Sequence, residues 1–256
     1  MDQVRRVSEH GYLYARMRME QFYEALDAQI GTSEFAIDHL AGRLDFLSDR
    51  GTVSARSHLL ASIAVEPATL LWGYAQAFAS SVGSSPVPSL IMAFGAAHGL
   101  DEFSTPELAY KQAGSSGSRE EVDGLVHVLG PAGIEIAGPT YFYYTYRTGS
   151  AGSRHLVLFD QPTLEVPNLD IATVMVKLPR LLGEVRDIGW ALDGLARLAG
   201  FGLHAERQGD ANRTGRYRLA DGSHQIDVEV ETDELGRVTR VRVSGPHGPA
   251  SGPVGS

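Results

Sequence analysis

Residues 59–79, LLASIAVEPATLLWGYAQAFA, constrain the fold more than any other stretch, because an alternating segment passes through Glu66-Pro67 into an uncharged apolar run. Upstream of the proline, period-2 spacing puts Val53, Ala55, Ser57, Leu59, Ala61, Ile63 and Val65 on one face of a strand. Arg56, His58 and Ser62 fall on the other face. Pro67 has no N–H and a preset φ, which suits a strand-to-helix junction. Beyond it, 100° spacing groups Leu70, Leu71, Tyr74, Ala75, Ala77 and Phe78 in one apolar arc with Trp72 at its edge. Thr69, Gly73, Gln76 and Ser80 share a narrow polar stripe. Such a helix has to be covered on most sides, so the segment is expected to be the core spine.

With 256 residues, 43% of them apolar, the chain can bury one large domain or two small ones. Its net charge of −9 argues against a nucleic-acid backbone as partner, since that affinity comes from clustered Lys and Arg. The absence of cysteine removes disulfides, thiolate metal sites and cysteine nucleophiles together. The N-terminal stretch has no continuous apolar region of the signal-peptide type. No apolar run approaches the roughly 20 residues that span a bilayer. Lys111 and Lys177 are the only lysines, a bias that suggests a GC-rich bacterial gene. The expectation is a cytoplasmic bacterial protein with no membrane, nucleic-acid or cofactor requirement.

Apolar positions at helical spacing (Tyr12, Ala15, Met19, Phe22, Leu26) predict a helix over 2–30, ended by Gly31. Short strands are expected around Phe35–His39 and Leu44–Phe46, with Ser48-Asp49-Arg50-Gly51 turning the second back onto the strand from Thr52. A small-residue helix is predicted over 88–98, burying Leu90, Ile91, Phe94 and Ala97. Thr105 is the expected N-cap of another, with Pro106 at N1. Residues 113–118 read as a link before a helix over 119–129 that Gly130-Pro131 stops. The aromatic segment 139–147, a turn over 149–153 and the strand 155–159 make a hairpin.

Residues 161–168, rich in proline, mark a domain boundary. Beyond it, helices are expected over 171–182, kinked or ended by Pro179, and along the Val185–Ala199 stripe closed by Gly200. A three-stranded meander follows over 216–220, 225–231 and 238–243, turning at Asp221-Gly222 and over 233–236. Ile226, Val228 and Val230 alternate with acids that can face Arg216, Arg218, Arg240 and Arg242. The expected class is α+β: an antiparallel sheet with packed helices over 1–165, a smaller helix-plus-meander unit over 166–244, and a disordered tail over 245–256.

The order of elements and the stretch Thr69-Leu-Leu-Trp-Gly-Tyr-Ala-Gln76 resemble the uncharacterised bacterial family known as domain of unknown function family 6882. Its motif reads approximately Thr-Trp-x-Trp-Gly/Ala-Trp-Ala-Asn. Thr69, Trp72, Gly73 and Ala75 match it, Leu70 and Tyr74 stand in place of tryptophans, and Gln76 in place of asparagine. The resemblance covers about residues 1–160 and implies a fold unit without an established activity.

Catalytic spacings are scarce. No Gly-x-Ser-x-Gly elbow occurs, though a triad assembled in space would leave no such trace. The nine histidines never take a His-x-His or His-Glu-x-x-His spacing, so no metal site is expected, and one from His39, His58 and His155 would need distant strands to meet. Gly200-Phe-Gly-Leu-His-Ala205 has the glycine spacing of a dinucleotide loop but follows a helix and precedes strands, the wrong order. The sequon Asn212-Arg213-Thr214 lacks a secretory context. Two surfaces are left as candidates. On the hairpin, Tyr141, Tyr143 and Thr145 point one way and Phe142, Tyr144 and Tyr146 the other, so one face can offer tyrosines to a partner. The second brings Arg56, His58 and Ser62 of the strand against Thr69 and Gln76 of the helix, a polar pocket in an apolar surround.

The candidate ligand contacts are therefore Arg56, His58, Thr69, Trp72, Gln76, Tyr141 and Tyr143. Two functions stay open. One is a non-catalytic binding or interaction domain for an unknown protein or small molecule, which loses if a concave site holds two or more titratable groups with perturbed pKa. The other is an enzyme or sensor for a small polar molecule around Arg56, His58 and Gln76, which fails if those side chains lie apart.

Overall fold

In the computed structural model, residues 1–80, 85–112, 114–149, 152–208, 214–234 and 238–247 are described. The chain forms two compact units, Met1–Ser8 with Arg18–Pro167 and Glu9–Met17 with Asn168–Ser256. Among the described residues, no helix is long and apolar enough to cross a membrane.

The first unit is built from α1 (Asp2–Ile30) without its Glu9–Met17 stretch, which counts with the second unit, and from β1 (Glu34–Asp38), β2 (Arg43–Ser48), β3 (Gly51–Ala64), β4 (Thr69–Trp72), α2 (Val87–His98), α3 (Asp101–Ser104), β5 (Glu107–Ala109), α4 (Arg119–Ala137), β6 (Phe142–Thr148) and β7 (Ser153–Asp160). The Glu102 carboxylate accepts the backbone N–H groups of Asp2 and Val4, two of the donors that the first turn of α1 leaves unpaired. The strands make one antiparallel sheet in the order β1-β2-β3-β4-β5, with β7 on the other side of β3 and β6 beyond β7. The sheet curls until Phe35 of β1 meets Tyr144 and Tyr146 of β6, at ring separations of 5.0 and 5.7 Å. Its concave face closes on Phe22 of α1, which is wholly buried among Phe46, Phe142 and Phe159.

A register shift between Leu59 and Ala61 marks a bulge in β3 against β7. One inserted residue reverses the period-2 alternation beyond it. His58 stands opposite Leu158 and Ala61 opposite Leu156, whereas Ser62 stands opposite His155. Ser62 is therefore on the face away from Arg56 and His58, which corrects the strand face expected from strict alternation.

The helix expected after Pro67 is absent. Residues 69–72 are β4, which turns back and pairs with β3 from Ala64↔Thr69 to Ala61↔Trp72; the Glu66–Pro67 peptide in the connecting turn is cis. A short 3-10 turn, Gln76–Phe78, is all the helix that follows. The segment is apolar because Leu70, Trp72 and Ala75 are buried on a sheet already covered, a pattern that a buried strand and a buried helix share. Gly73 donates its N–H to Leu60 O at 2.8 Å, and a Cβ there would lie 2.1 Å from Leu59 O. The motif residues Trp72, Gly73 and Ala75 thus serve packing.

Three further expectations change. Thr105 follows the short α3 instead of opening a helix, and Glu107–Ala109 pairs with β4 as β5. Helix α4 continues through Gly130-Pro131 to Ala137, because its small residues let it lie close on the sheet. A Cβ on Gly130 would meet the Tyr143 ring at 2.7 Å, and one on Gly133 would meet Leu60 at 2.7 Å. That packing outweighs the hydrogen bond the proline forgoes. In α2 the buried residues are Val87, Pro88, Ile91 and Gly95, while Leu90 and Ala97 are exposed.

The second unit contains α5 (Ile171–Leu181), α6 (Ile188–Ala199), β8 (Gly202–Gln208), β9 (Thr214–Ala220), β10 (Gln225–Thr232) and β11 (Val238–His247). Asp170 and Asp187 cap the two helices by accepting from Thr173 and Trp190 N–H, and Gly200 ends α6 in the left-handed conformation. The sheet has four strands, in the order β11-β10-β9-β8, one more than the meander expected. Ile226, Val228 and Val230 are buried, and on the opposite face Arg216 pairs with Glu229 and Arg218 with Asp227 at 3.0 and 2.8 Å. In the same unit His10 reaches Asp193 at 3.0 Å and lies against Trp190. Strand β11 takes in residues 245–247 of the expected tail. Residues 248–256, Asn212-Arg213 of the sequon, and parts of the links and turns at 81–84, 113, 150–151 and 235–237 lie outside the described residues.

Candidate functional site

Pairing of β3 with β7 places Arg56 directly opposite Asp160. Arg56 donates to this carboxylate twice, Nε to Oδ1 at 3.0 Å and Nη2 to Oδ2 at 2.6 Å. His58, one position further along the same face, brings Nε2 to within 3.2 Å of Oδ1. Its Nδ1 lies 2.9 Å from Ser85 Oγ, just before α2. Asp160 and His58 are buried, whereas the Arg56 side chain is 57% exposed. Tyr141 lies against the His58 ring with centroids 5.6 Å apart.

These groups border a cleft of about 220 Å³ lined by His39–Gly42, Ser57, Leu59 and Pro86 together with Arg56, His58 and Ser85. Burial alone would raise the Asp160 carboxyl, but the hydrogen bonds from Arg56 and His58 outweigh it and hold it below the usual carboxylate range. The same bond, followed by the Asp160 charge, raises Arg56. Asp160 is therefore a carboxylate that can only accept, which puts the proton of a neutral His58 on Nε2 and leaves Nδ1 as the acceptor of the Ser85 hydroxyl. The chain Ser85→His58→Asp160 has one direction. Nη1 of Arg56 is left as the guanidinium edge not engaged by Asp160.

His39, on the cleft rim, also belongs to a second cluster. Its Nε2 contacts the Tyr146 hydroxyl, which lies 2.9 Å from Nδ1 of His155. Burial lowers His39. Burial, and then the neighbouring His39, lower His155 from 6.5 to about 4. The unfolded chain therefore takes up a proton at His155 first, so stability should fall as pH drops from about 6.5 to about 4. Urea midpoints measured across that window should show this slope in the native chain and a shallower one in His155→Gln. Equal slopes would remove His155 as the cause.

Of the candidates taken from sequence, the fold brings together Arg56, His58 and Tyr141. Tyr143 is buried under Gly130 of α4, Tyr141 is buried as well, and Tyr144 and Tyr146 are half-buried against Phe35, Phe46 and His155, so neither hairpin face is the open tyrosine surface expected. Trp72 is buried, stacks on Phe103 and donates Nε1–H to Glu102 O at 2.8 Å. Thr69 donates to Pro67 O beside the turn. Gln76 is exposed in the 3-10 turn and is not among the residues lining the cleft, so the pocket expected around Arg56, His58 and Gln76 does not form as a trio, and only its Arg56–His58 part is present. His39 and His155 do meet, through Tyr146, while His58 faces Asp160 instead. Among the described residues, no three metal-ligating side chains are grouped to hold a metal ion.

Sequence reasoning missed Asp160 and Ser85 as site members and weighed His39 only as a metal ligand with His58 and His155. Asp160 carried one available signal, a lone acid closing the apolar strand HLVLF, but only the strand register sets it against Arg56. Comparison with known proteins gives one finding: the sequence profile described as "Family of unknown function (DUF6882)" matches residues 5–162. No curated protein and no solved structure matches the chain.

Proposed function

The chain belongs to the DUF6882 family of unknown function, and from that footing we propose that its first unit binds a small polar molecule carrying an anionic group, in the cleft over Arg56 and His58. The observation that carries this reading is the exposed Arg56 guanidinium, fixed from behind by a buried carboxylate with its Nη1 edge left for a ligand. Two groups lining the cleft, His39 and Arg56, have shifted proton affinities, which favours a small-molecule site over a passive interaction surface. The volume suits a ligand of a few heavy atoms, and Arg56, His58 and Ser85 are among the polar groups that line it. The acidic, cysteine-free composition supports placing this module in the bacterial cytoplasm, without nucleic acid as partner.

Thermal denaturation with acetate, succinate and inorganic phosphate tests the reading. At least one should raise the Tm in a saturable manner, with stabilisation growing as the logarithm of ligand concentration above Kd. Arg56→Lys keeps the charge opposite Asp160 but loses the planar fork, so most of that shift should vanish. A flat response to all three anions, or an undiminished shift in the variant, would overturn the proposal.

A further inference from the structure

We propose that Ser85 is the nucleophile of an acyl-transfer reaction in this cleft, with His58 as its base and Asp160 as the residue that positions the imidazole. The proposal rests on the reading of the cleft as a ligand site and adds chemistry to it. Three separate segments supply the groups: Ser85 stands before α2, His58 lies in β3 and Asp160 closes β7. Local folding alone would not align them. Ser85 Oγ lies 2.9 Å from Nδ1 of His58, and Nε2 lies 3.2 Å from Asp160 Oδ1. The two ring nitrogens are used in the reverse sense to the serine-protease arrangement, but the roles of donor, base and orienting carboxylate are the same. Ser85 Oγ also accepts the Val87 N–H at 3.3 Å, which fixes the oxygen while its proton faces the base.

A surface serine bonded to a histidine needs none of this support. Here the base is buried, its tautomer is set by a carboxylate, and that carboxylate is itself held by two bonds from Arg56. Ser85 is only half-buried and lines the cleft, so a carbonyl carbon can reach it.

The step balances with water as co-reactant. Ser85 Oγ attacks the carbonyl carbon of a small ester, and its proton passes to His58 Nδ1. The tetrahedral intermediate collapses, the C–O bond to the leaving alcohol breaks, and the imidazolium returns the proton to that alcohol. Water then attacks the acyl-serine with His58 again as base, releasing the carboxylic acid and restoring the Ser85 hydroxyl. An anionic group on the substrate would lie against Nη1 of Arg56.

The experiment uses the full chain and a fluorophosphonate probe, which phosphonylates a base-activated serine with loss of fluoride. Intact-mass and peptide analysis should place one adduct on Ser85, and Ser85→Ala should remain unmodified. Asp160→Asn would offer an N–H to Nε2 and turn the proton onto Nδ1, so labelling should slow at least about a hundredfold. Because the chain has no cysteine, Ser85→Cys creates a single thiol, and its alkylation by iodoacetamide reads the base directly. A rate that reaches its plateau well below the free-thiol pKa of about 8.5 supports the assignment. An unlabelled native chain, an adduct elsewhere, or a Ser85→Cys thiol that titrates like free cysteine overturns it. The phosphate, acetate and succinate thermal shifts on the same samples separate the two claims. A retained shift without Ser85 chemistry removes the nucleophile alone, and loss of both removes the ligand site as well.

Discussion

Gly194→Ala is expected to destabilise the second unit by about 3 kcal/mol or more, although the same change in an open helix stabilises. The glycine is in the middle of α6, where alanine is ordinarily favoured by about 0.5–1 kcal/mol. A Cβ built on it would lie 1.8 Å from the carbonyl oxygen of His10 and 2.5 Å from its carbon. Both obstacles are backbone atoms of a helix, so no rotamer change relieves the overlap and a helix must move. That movement would also part the His10 ring from Trp190 and its Nε2 from Asp193, now at 4.0 and 3.0 Å. Gly124→Ala is the matched control. It lies within α4 with nothing within 4 Å of the added methyl, and should stabilise by about 0.5–1 kcal/mol. Urea denaturation of both variants checks the opposite signs; destabilisation by both would show that the close approach at His10 is not the cause.

Phe22→Ala should cost the first unit about 3–5 kcal/mol, the usual loss for a fully buried aromatic ring whose site cannot collapse. Besides its chain neighbour Tyr23, Phe22 touches the rings of Phe46, Phe142 and Phe159 at 5.4, 5.1 and 5.0 Å, and these come from β2, β6 and β7. Each aromatic pair adds about 0.5–1.5 kcal/mol beyond its buried area. The cavity would be bounded by hydrogen-bonded strands on one side and α1 on the other, so the walls cannot close around it. Phe22→Leu should lose less than half as much, because most of the volume is kept. Denaturant midpoints for the two variants settle the ratio, and equal losses would argue that the rings contribute bulk without specific geometry.

Much of the local structure was legible before any tertiary contact was known. The spacing of Phe22 and Leu26, with Gly31 after them, describes α1 to its end. Ser48↔Gly51 closes the β2–β3 hairpin where the turn chemistry places it, and the alternation of Ile226, Val228 and Val230 with acids describes β10. These features depend on neighbours a few residues away, and their physics is written in the sequence: rotamer freedom, capping, turn conformations and which face meets water.

What the sequence could not decide depended on which surfaces meet. Residues 69–79 are apolar whether they form a covered helix or a covered strand, and only the pairing of Ala61 with Trp72 makes the start of that run a strand. Pro131 reads as a stop until Gly130 and Gly133 are found pressed on Tyr143, Leu60 and Leu158. The bulge in β3 moves Ser62 off the face of Arg56 and His58, because one extra residue inverts a period of two. The site follows the same logic. Arg56 and His58 are neighbours in sequence, but Ser85 lies 27 residues from His58 and Asp160 lies 104 from Arg56. Hydrogen bonds across such separations are set by strand register and by where α2 begins, so local patterning specifies elements such as α1, the β2–β3 hairpin and β10, while long-range pairing turns 69–72 into a strand and selects which side chains share a proton.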